Sequence, residues 1–286
     1  MLRWPLISLL TCAACAPQVI TAVDGEPPPD AGLPDAPVHE GGSGGALPVP
    51  EAGPAEPTLR GDALLHRYGF DGSGSRAFDS KGAAHGSLVA CRLSDQGSLQ
   101  LQTPDAGDDP YVDLPNGLIS GLTNATFEVW LTWEGGKDWQ RIFDFGEDSS
   151  GVEDARSIGR SYLFLSPHGS GDFMRAVYKN AMIREVIIDV RPALPPATPA
   201  HLAVVFDDRN NQMTVYVNGI ASGSAELDGK LSQIHDVNDW LGRSQFAADS
   251  PFTGQLDEFR IYDVALTEGE IQKSGDAGPD VVFPEP

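Results

Sequence analysis

Basic residues are scarce. Lys and Arg number 19 against 41 Asp and Glu in 286 residues, a formal net charge of -22. Nucleic-acid binding needs a dense basic surface to displace counterions, and adsorption to anionic lipid needs a polybasic patch. Neither is present, so no nucleic-acid partner is expected. Cysteine is nearly absent as well. Three residues, Cys12, Cys15 and Cys91, exclude a disulfide framework, and their spacing supports no zinc site. Long apolar runs are missing too. The run from Leu6 to Leu10 falls far short of the roughly twenty residues that a spanning helix requires.

Several catalytic signatures are also lacking. There is no Gly-x-Ser-x-Gly elbow and no His-Glu-x-x-His. Gly229-Lys230 has neither the earlier glycine nor the following Ser/Thr of a phosphate loop. Cys91 has no evident base partner and reads as an inert small hydrophobe.

The first fifteen residues, MLRWPLISLLTCAAC, place one Arg before an apolar run and small residues before a cysteine. That is the layout of a short secretory signal. Its close on small residues and Cys resembles the bacterial lipoprotein signal, in which the cysteine is acylated and becomes the mature N-terminus. Cys15 follows the better small residues, whereas Cys12 has Leu9 three positions before it. Either is the lipidation candidate, with Cys15 preferred. Acylation would confine membrane contact to a lipid anchor. No Asp follows either cysteine. The expected location is therefore the bacterial cell envelope, at the outer membrane, or the exterior if no lipid is attached.

Residues 16–60 hold ten prolines, seven glycines and seven acidic residues, with Arg60 the one Lys or Arg. A segment so poor in large apolar side chains cannot offset the entropy of ordering. It is expected to be a disordered tether.

From Ala63 onward the pattern changes to period two, the mark of half-buried strands. Phe127, Val129, Leu131 and Trp133 share one face of Thr126–Trp133, and Trp130 takes the other. Further short runs are Arg141–Phe145, Ser161–Leu165, Met174–Tyr178, Glu185–Val190, His201–Phe206 and Gln212–Val217. Asp207–Asn211 and Asn218-Gly219 are polar turns of hairpin type. Helical character appears near the end, where Thr267-Glu-Gly-Glu270 has the form of a capping box before a single turn. The pattern implies an all-β domain over 61–272, a two-sheet antiparallel jelly-roll sandwich, with a flexible tail over 273–286.

Three blocks carry a resemblance. LLHRYGFD (Leu64–Asp71) is followed by Asp79-Ser-Lys-Gly82 and His85-Gly86. A hairpin, Pro199–Gly223, contains Tyr216-Val-Asn-Gly219. The close is Phe252-Thr-Gly-Gln-Leu-Asp257-Glu-Phe-Arg-Ile-Tyr262-Asp. Together they resemble laminin-G-like domains of the concanavalin A-like lectin and glucanase type. The resemblance implies twelve to fifteen strands, with the first and last side by side, and Asp71 and Asp79 near Asp257. It matches little over residues 145–200, where loops peculiar to this chain are expected.

That fold hosts both enzymes and binders, so the residues must decide. Glycosidases need two carboxylates flanking the scissile bond, which a strand supplies as Glu-x-Asp-x-x-Glu. No such run occurs, and the acidic stretch Gly146–Asp154 reads as a solvated loop. A binder needs aromatic rings for sugar C–H faces and polar groups for hydroxyls. Trp139, in the polar turn Gly135–Arg141, is the foremost candidate, with Tyr162 and Tyr178 beside it. Trp130, Trp133 and Trp240 also compete, and Arg156, Arg160 and Lys179 are possible polar contacts. Either a glycan or a surface protein fits as partner, and the acidic balance favours a neutral glycan.

One cofactor is expected on the resemblance, a structural Ca2+ held by Asp71, Asp79 and Asp257. Calcium takes six to eight oxygens, and crowded carboxylates gain from a divalent ion. The alternative is that Asp71 and Asp79 cap turns, while Asp257 or Glu258 pairs with an arginine.

Overall fold

The computed structural model describes residues 61–102 and 109–282. The signal segment, the tether and the lipidation candidates Cys12 and Cys15 lie outside the described residues. Among the described residues no helix is long and apolar enough to cross a membrane.

Two antiparallel sheets of eight strands make a jelly-roll sandwich. In the first, the order is β14 (Ile220–Glu226), β13 (Gln212–Val217), β12 (Thr198–Asp207), β7 (Ala125–Trp133), β16 (Gly254–Tyr262), β5 (Leu99–Leu101) and β4 (Arg92–Leu93). The eighth strand, β1 (Leu64–Tyr68), also pairs with β16. In the second, it is β11 (Val186–Val190), β10 (Met174–Lys179), β9 (Gly159–Ser166), β8 (Phe143–Asp148), β15 (Asn238–Leu241), β6 (Tyr111–Leu114), β3 (Gly86–Val89) and β2 (Arg76–Ala77). The first and last strands do lie together: Arg67 pairs with Arg260 and Tyr68 with Phe259.

Alternation explains the core. Phe127, Val129, Leu131 and Trp133 of β7 point between the sheets. There Phe127 meets Phe143 of β8 at 5.6 Å between ring centroids, and Phe143 meets Phe259 of β16 at 5.8 Å. Burying each such ring contributes about 1.5–3 kcal/mol. The Asn218-Gly219 turn closes β13 onto β14 with φ of 50° and 81°. Positive values at both central residues match the right-handed strand twist and suit Asn-Gly.

The outer face of the first sheet is covered, which alternation alone does not foretell. Helix α1 (Glu268–Ala277) begins with the expected capping box, Thr267 and Glu270 bonding reciprocally. It runs ten residues instead of one turn, because Ile271 and Ser274 are buried against the first sheet. Tyr262, Val205 and Tyr216 form a small apolar cluster with Ile271. The ordered chain also continues past 272. The Arg260 guanidinium donates to the Pro279 carbonyl at 2.6 Å and to that of Val281 at 3.0 Å.

Within residues 145–200 the expected short strands are present as β9, β10 and β11, and the segments between them are loops and turns. The acidic run is partly strand. β8 extends through Glu147 and Asp148, because β9 pairs with both, at Ser161 and Gly159. Glu147 accepts from His235 at 2.8 Å and Ser161 at 3.4 Å, and Asp148 caps the turn at Ser150 and Gly151.

Candidate functional site

The outer face of the second sheet carries a cleft of about 210 Å³. Alternation in β9 and β10 turns Leu163, Leu165, Met174, Ala176 and Tyr178 inward. Tyr162, Phe164, Arg175 and Val177 therefore face outward. A loop after β15 folds over them, and Phe246 packs on Tyr162 and Phe164. The cleft lies between this loop and the turn that carries Trp139, with Arg141, Phe164, Arg175, Val177, Glu185 and Asp249 also lining it.

Trp139 is half-buried, with its backbone at φ 62°. Its ring meets Phe173 edge-on at 6.0 Å, and the Arg175 guanidinium stands 5.2 Å over it. Arg175 is fixed by a two-point pair with Asp189, at 2.6 and 2.9 Å. This fork geometry locks the guanidinium plane.

Arg141 forms the floor. It is buried, with its guanidinium 3.8 Å from the Phe164 centroid. It donates to the Trp139 carbonyl at 2.6 Å and pairs with Asp249 at 2.8 Å. Asp144 lies 3.4 Å away on the other side. Burial pushes the Asp144 carboxyl up to about 7, and Arg141 only partly counters it. The nearer partner, Asp249, already compensates the cation. Arg156 holds the loop above, donating to the carbonyls of Ser244, Phe246 and Asp249 and pairing with Asp109.

The sequence candidates separate. Trp139 lines the cleft. Tyr162 is buried beneath it, donating its hydroxyl to Glu185 and orienting that carboxylate. Tyr178 belongs to the interior: its ring packs on Phe206 and its hydroxyl donates to the Lys230 carbonyl at 2.8 Å. It is a core residue and cannot touch a ligand on this face. Trp133 is also core, donating to Gln140. Trp240 is fully buried under Arg243 and donates to Asp113. Lys179 reaches over the Tyr162 ring, and Arg160 stays at the surface near Glu147. Sequence reasoning missed Arg141, Arg175, Glu185, Phe246 and Asp249. The period-two pattern of β10 was the one available signal, since it already turned Arg175 away from Met174 and Ala176.

The three aspartates are not gathered. Among the described residues no group of three or more His, Cys, Asp or Glu side chains is arranged to hold a metal. Asp79 is buried and accepts from His66 at 2.7 Å and from the backbone N–H groups of Arg67, Lys81, Gly82 and Ala84. Burial alone would raise its carboxyl, but these bonds hold it below the usual range. Its oxygens are occupied by donors, so it caps a turn. Asp71 is exposed at a separate hollow with Arg67 and Phe78. Asp257 lies on the first sheet's outer face, where Gln255 donates to it at 3.2 Å. Cys91 donates to the Tyr111 carbonyl, and burial raises its thiol to about 11.

Comparisons agree with this architecture. Domain 4 of AbnA, a GH43 extracellular arabinanase from Geobacillus stearothermophilus solved in complex with arabinotriose, superimposes with a TM-score of 0.58. It shares 22% identity over 73% of this chain and 97% of its own. The botulinum neurotoxin serotype D binding domain gives 0.57 at 12% identity, over 76% of this chain and 52% of that one. A mutant Trypanosoma rangeli sialidase displaying trans-sialidase activity gives 0.54 at 14%, over 75% and 33%. These likenesses are of fold. No curated protein sequence matches. The family model Laminin_G_3 matches residues 105–272, and the chain belongs to the concanavalin A-like lectin/glucanases superfamily.

Proposed function

We propose that the domain is a non-catalytic carbohydrate-recognition module, held at the bacterial envelope through an acylated Cys15 or Cys12 and spaced from it by residues 16–60. The observation that carries this reading is the Trp139 cleft. It combines an accessible aromatic ring with a fixed guanidinium, Arg175, and fixed carboxylates, Glu185 and Asp249. Rings take sugar C–H faces and the charged groups take hydroxyls. The cleft is below the roughly 300–1,000 Å³ of drug-sized pockets, a size suited to one sugar unit. The arabinotriose-bound state of the similar arabinanase domain is consistent with this use of the fold.

Binding is favoured over hydrolysis by how the carboxylates are engaged. Asp249 accepts from Arg141 and Ser244, and Glu185 accepts from Tyr162. Neither is set up as a proton donor. A glycan array probed with the domain, alongside Trp139→Ala, tests the proposal. A neutral-glycan signal lost in the variant supports it, and a blank array for the folded domain refutes it. A protein-binding module is the second reading, favoured by Met182 and Ile187, exposed apolar residues beside and on edge strand β11. Pull-down from surface extracts, with Met182→Lys as control, tests that alternative.

A further inference from the structure

The opposite face carries a second cavity. It measures about 270 Å³ and lies on the first sheet, between β7, β12 and the end of α1. Trp130, His201, Asp257, Pro199, Gly275 and Pro279 line it. Trp130 and His201 are 6% and 5% exposed and stack with ring centroids 4.4 Å apart. The other face of Trp130 is taken by the Arg260 guanidinium at 4.5 Å. The indole can therefore offer a ligand only its edge.

Both rings carry an unsatisfied polar atom. Trp130 Nε1 and His201 Nδ1 are buried and have no hydrogen-bond partner. Buried polar groups are nearly always paired, so two orphans in one small cavity call for an explanation. The rest of this cluster is well satisfied. Glu128 accepts from His201 Nε2 at 3.1 Å, from the Tyr262 hydroxyl at 2.9 Å and from the Ser274 hydroxyl at 3.0 Å. With its Nε2 proton given to Glu128, a neutral His201 presents Nδ1 as an acceptor. Trp130 Nε1 is a donor only.

A hydroxyl both accepts from an indole and donates to an imidazole, as do water and a carboxamide. The Asp257 carboxylate in the same cavity can accept from a second hydroxyl. Pro199 and Pro279 offer apolar surface to C–H groups. An anion is disfavoured by Glu128, Asp257 and the nearby Asp280. An ammonium group cannot accept from Trp130. We infer that this cavity is a second binding site, for a small polyhydroxylated ligand such as a sugar unit. It is separate from the Trp139 cleft and on the opposite sheet.

Gly275 and Pro279, at the end of α1 and beyond it, cover the cavity. His201 Nδ1 faces Gly275, where an added Cβ would lie only 2.6 Å away. Beyond the helix, Pro279 and Val281 are tied down through carbonyls accepting from Arg260.

The test is a nuclear magnetic resonance titration of the isotope-labelled chain with glycerol, and separately with methyl glycosides of arabinose, galactose and glucose. The expected result is a saturable shift of the Trp130 indole N–H, unchanged in a Trp139→Ala variant. That variant separates failure here from failure of the cleft on the other sheet. Trp130→Phe keeps the ring stack and deletes the donor, and weakens binding about tenfold, as loss of one such bond implies. Asp257→Asn, at a half-buried position, weakens it as well. A response to glycerol and glycosides alike assigns any small polyol, and a response to glycosides alone narrows the class to sugar rings. No shift of the Trp130 indole with any probe overturns the site. So does equal affinity in wild type, Trp130→Phe and Asp257→Asn.

Discussion

Arg141 lies 2.8 Å from Asp249, and that one contact ties the floor of the Trp139 cleft to its rim. The two residues are more than a hundred positions apart in the chain. Arg141 also donates to the Trp139 carbonyl, so a single buried cation positions both walls. An arginine suits this role, since its planar fork stacks on Phe164 while bonding in two directions.

Removing the cation should therefore cost both stability and binding. Arg141→Ala leaves Asp249 without its cation, with Ser244 still bonded to it, and uncovers the Phe164 ring. Breaking a buried pair from one side costs about 3–5 kcal/mol. Urea unfolding should show a midpoint lowered in proportion, with any glycan signal lost. A midpoint equal to wild type would show that the loop is held without Arg141, by Arg156 alone.

Trp139 and Tyr178 should respond in opposite ways. Trp139→Ala removes a half-buried ring from the cleft and is expected to abolish glycan binding while shifting the unfolding midpoint little. Tyr178→Phe removes a buried hydroxyl bonded to the Lys230 carbonyl. It should cost about 1 kcal/mol of stability and leave glycan binding intact. Calorimetric titration of both variants checks this, and the reverse pattern would move the binding face to the interior-facing strand positions.

The fold was legible because alternation and turn chemistry are local. Phe127, Val129, Leu131 and Trp133 had to share a face, and Asn218-Gly219 had to turn. Tyr178, expected at the binding face, falls in phase with Met174 and Ala176, so the same alternation held the signal that it is core. The site was not legible for a physical reason. Its members come from the turn before β8, from β9, from the β10–β11 pair and from the loop after β15, and only strand order joins them. Buried charges were hidden in the same way. Glu128 and Asp144 sit at positions that alternation marks as solvent-facing, and they are buried because α1 and the 244–249 loop lie over them. The calcium expectation rested on proximity of three aspartates, but donors already occupy the Asp79 carboxylate.

Asp79 should behave as a turn cap. Asp79→Ala leaves four backbone N–H groups and His66 without their acceptor. Several kcal/mol should be lost, because each buried unsatisfied donor costs about 1–3 kcal/mol. The loss should be the same in EDTA and in millimolar Ca2+. A wild-type melting midpoint that rises with Ca2+, and no longer does so in the variant, would restore the metal ligand.

Stability should also fall as pH rises through neutrality. Asp144 is fully buried, and its folded carboxyl is pushed up to about 7, first by burial and further by Asp249. Burial, reinforced by Asp236, raises Asp239 well above the ordinary value as well. An unfolded Asp titrates at about 4. Between about pH 4 and pH 7 the folded state holds a proton that the unfolded chain has released. The stabilisation is thus complete below the lower value and lost as pH rises through the upper one. Asp79 acts in the other direction: its depressed folded value makes its contribution fade below about pH 4. The melting midpoint should peak near about pH 5 and decline toward about pH 8, by a few kcal/mol in stability terms. Asp144→Asn keeps an acceptor for the Gln245 N–H while removing the titration. It should flatten much of the decline. A wild-type midpoint as high at alkaline as at mildly acidic pH would mean that Asp144 stays ionised, held so by Arg141.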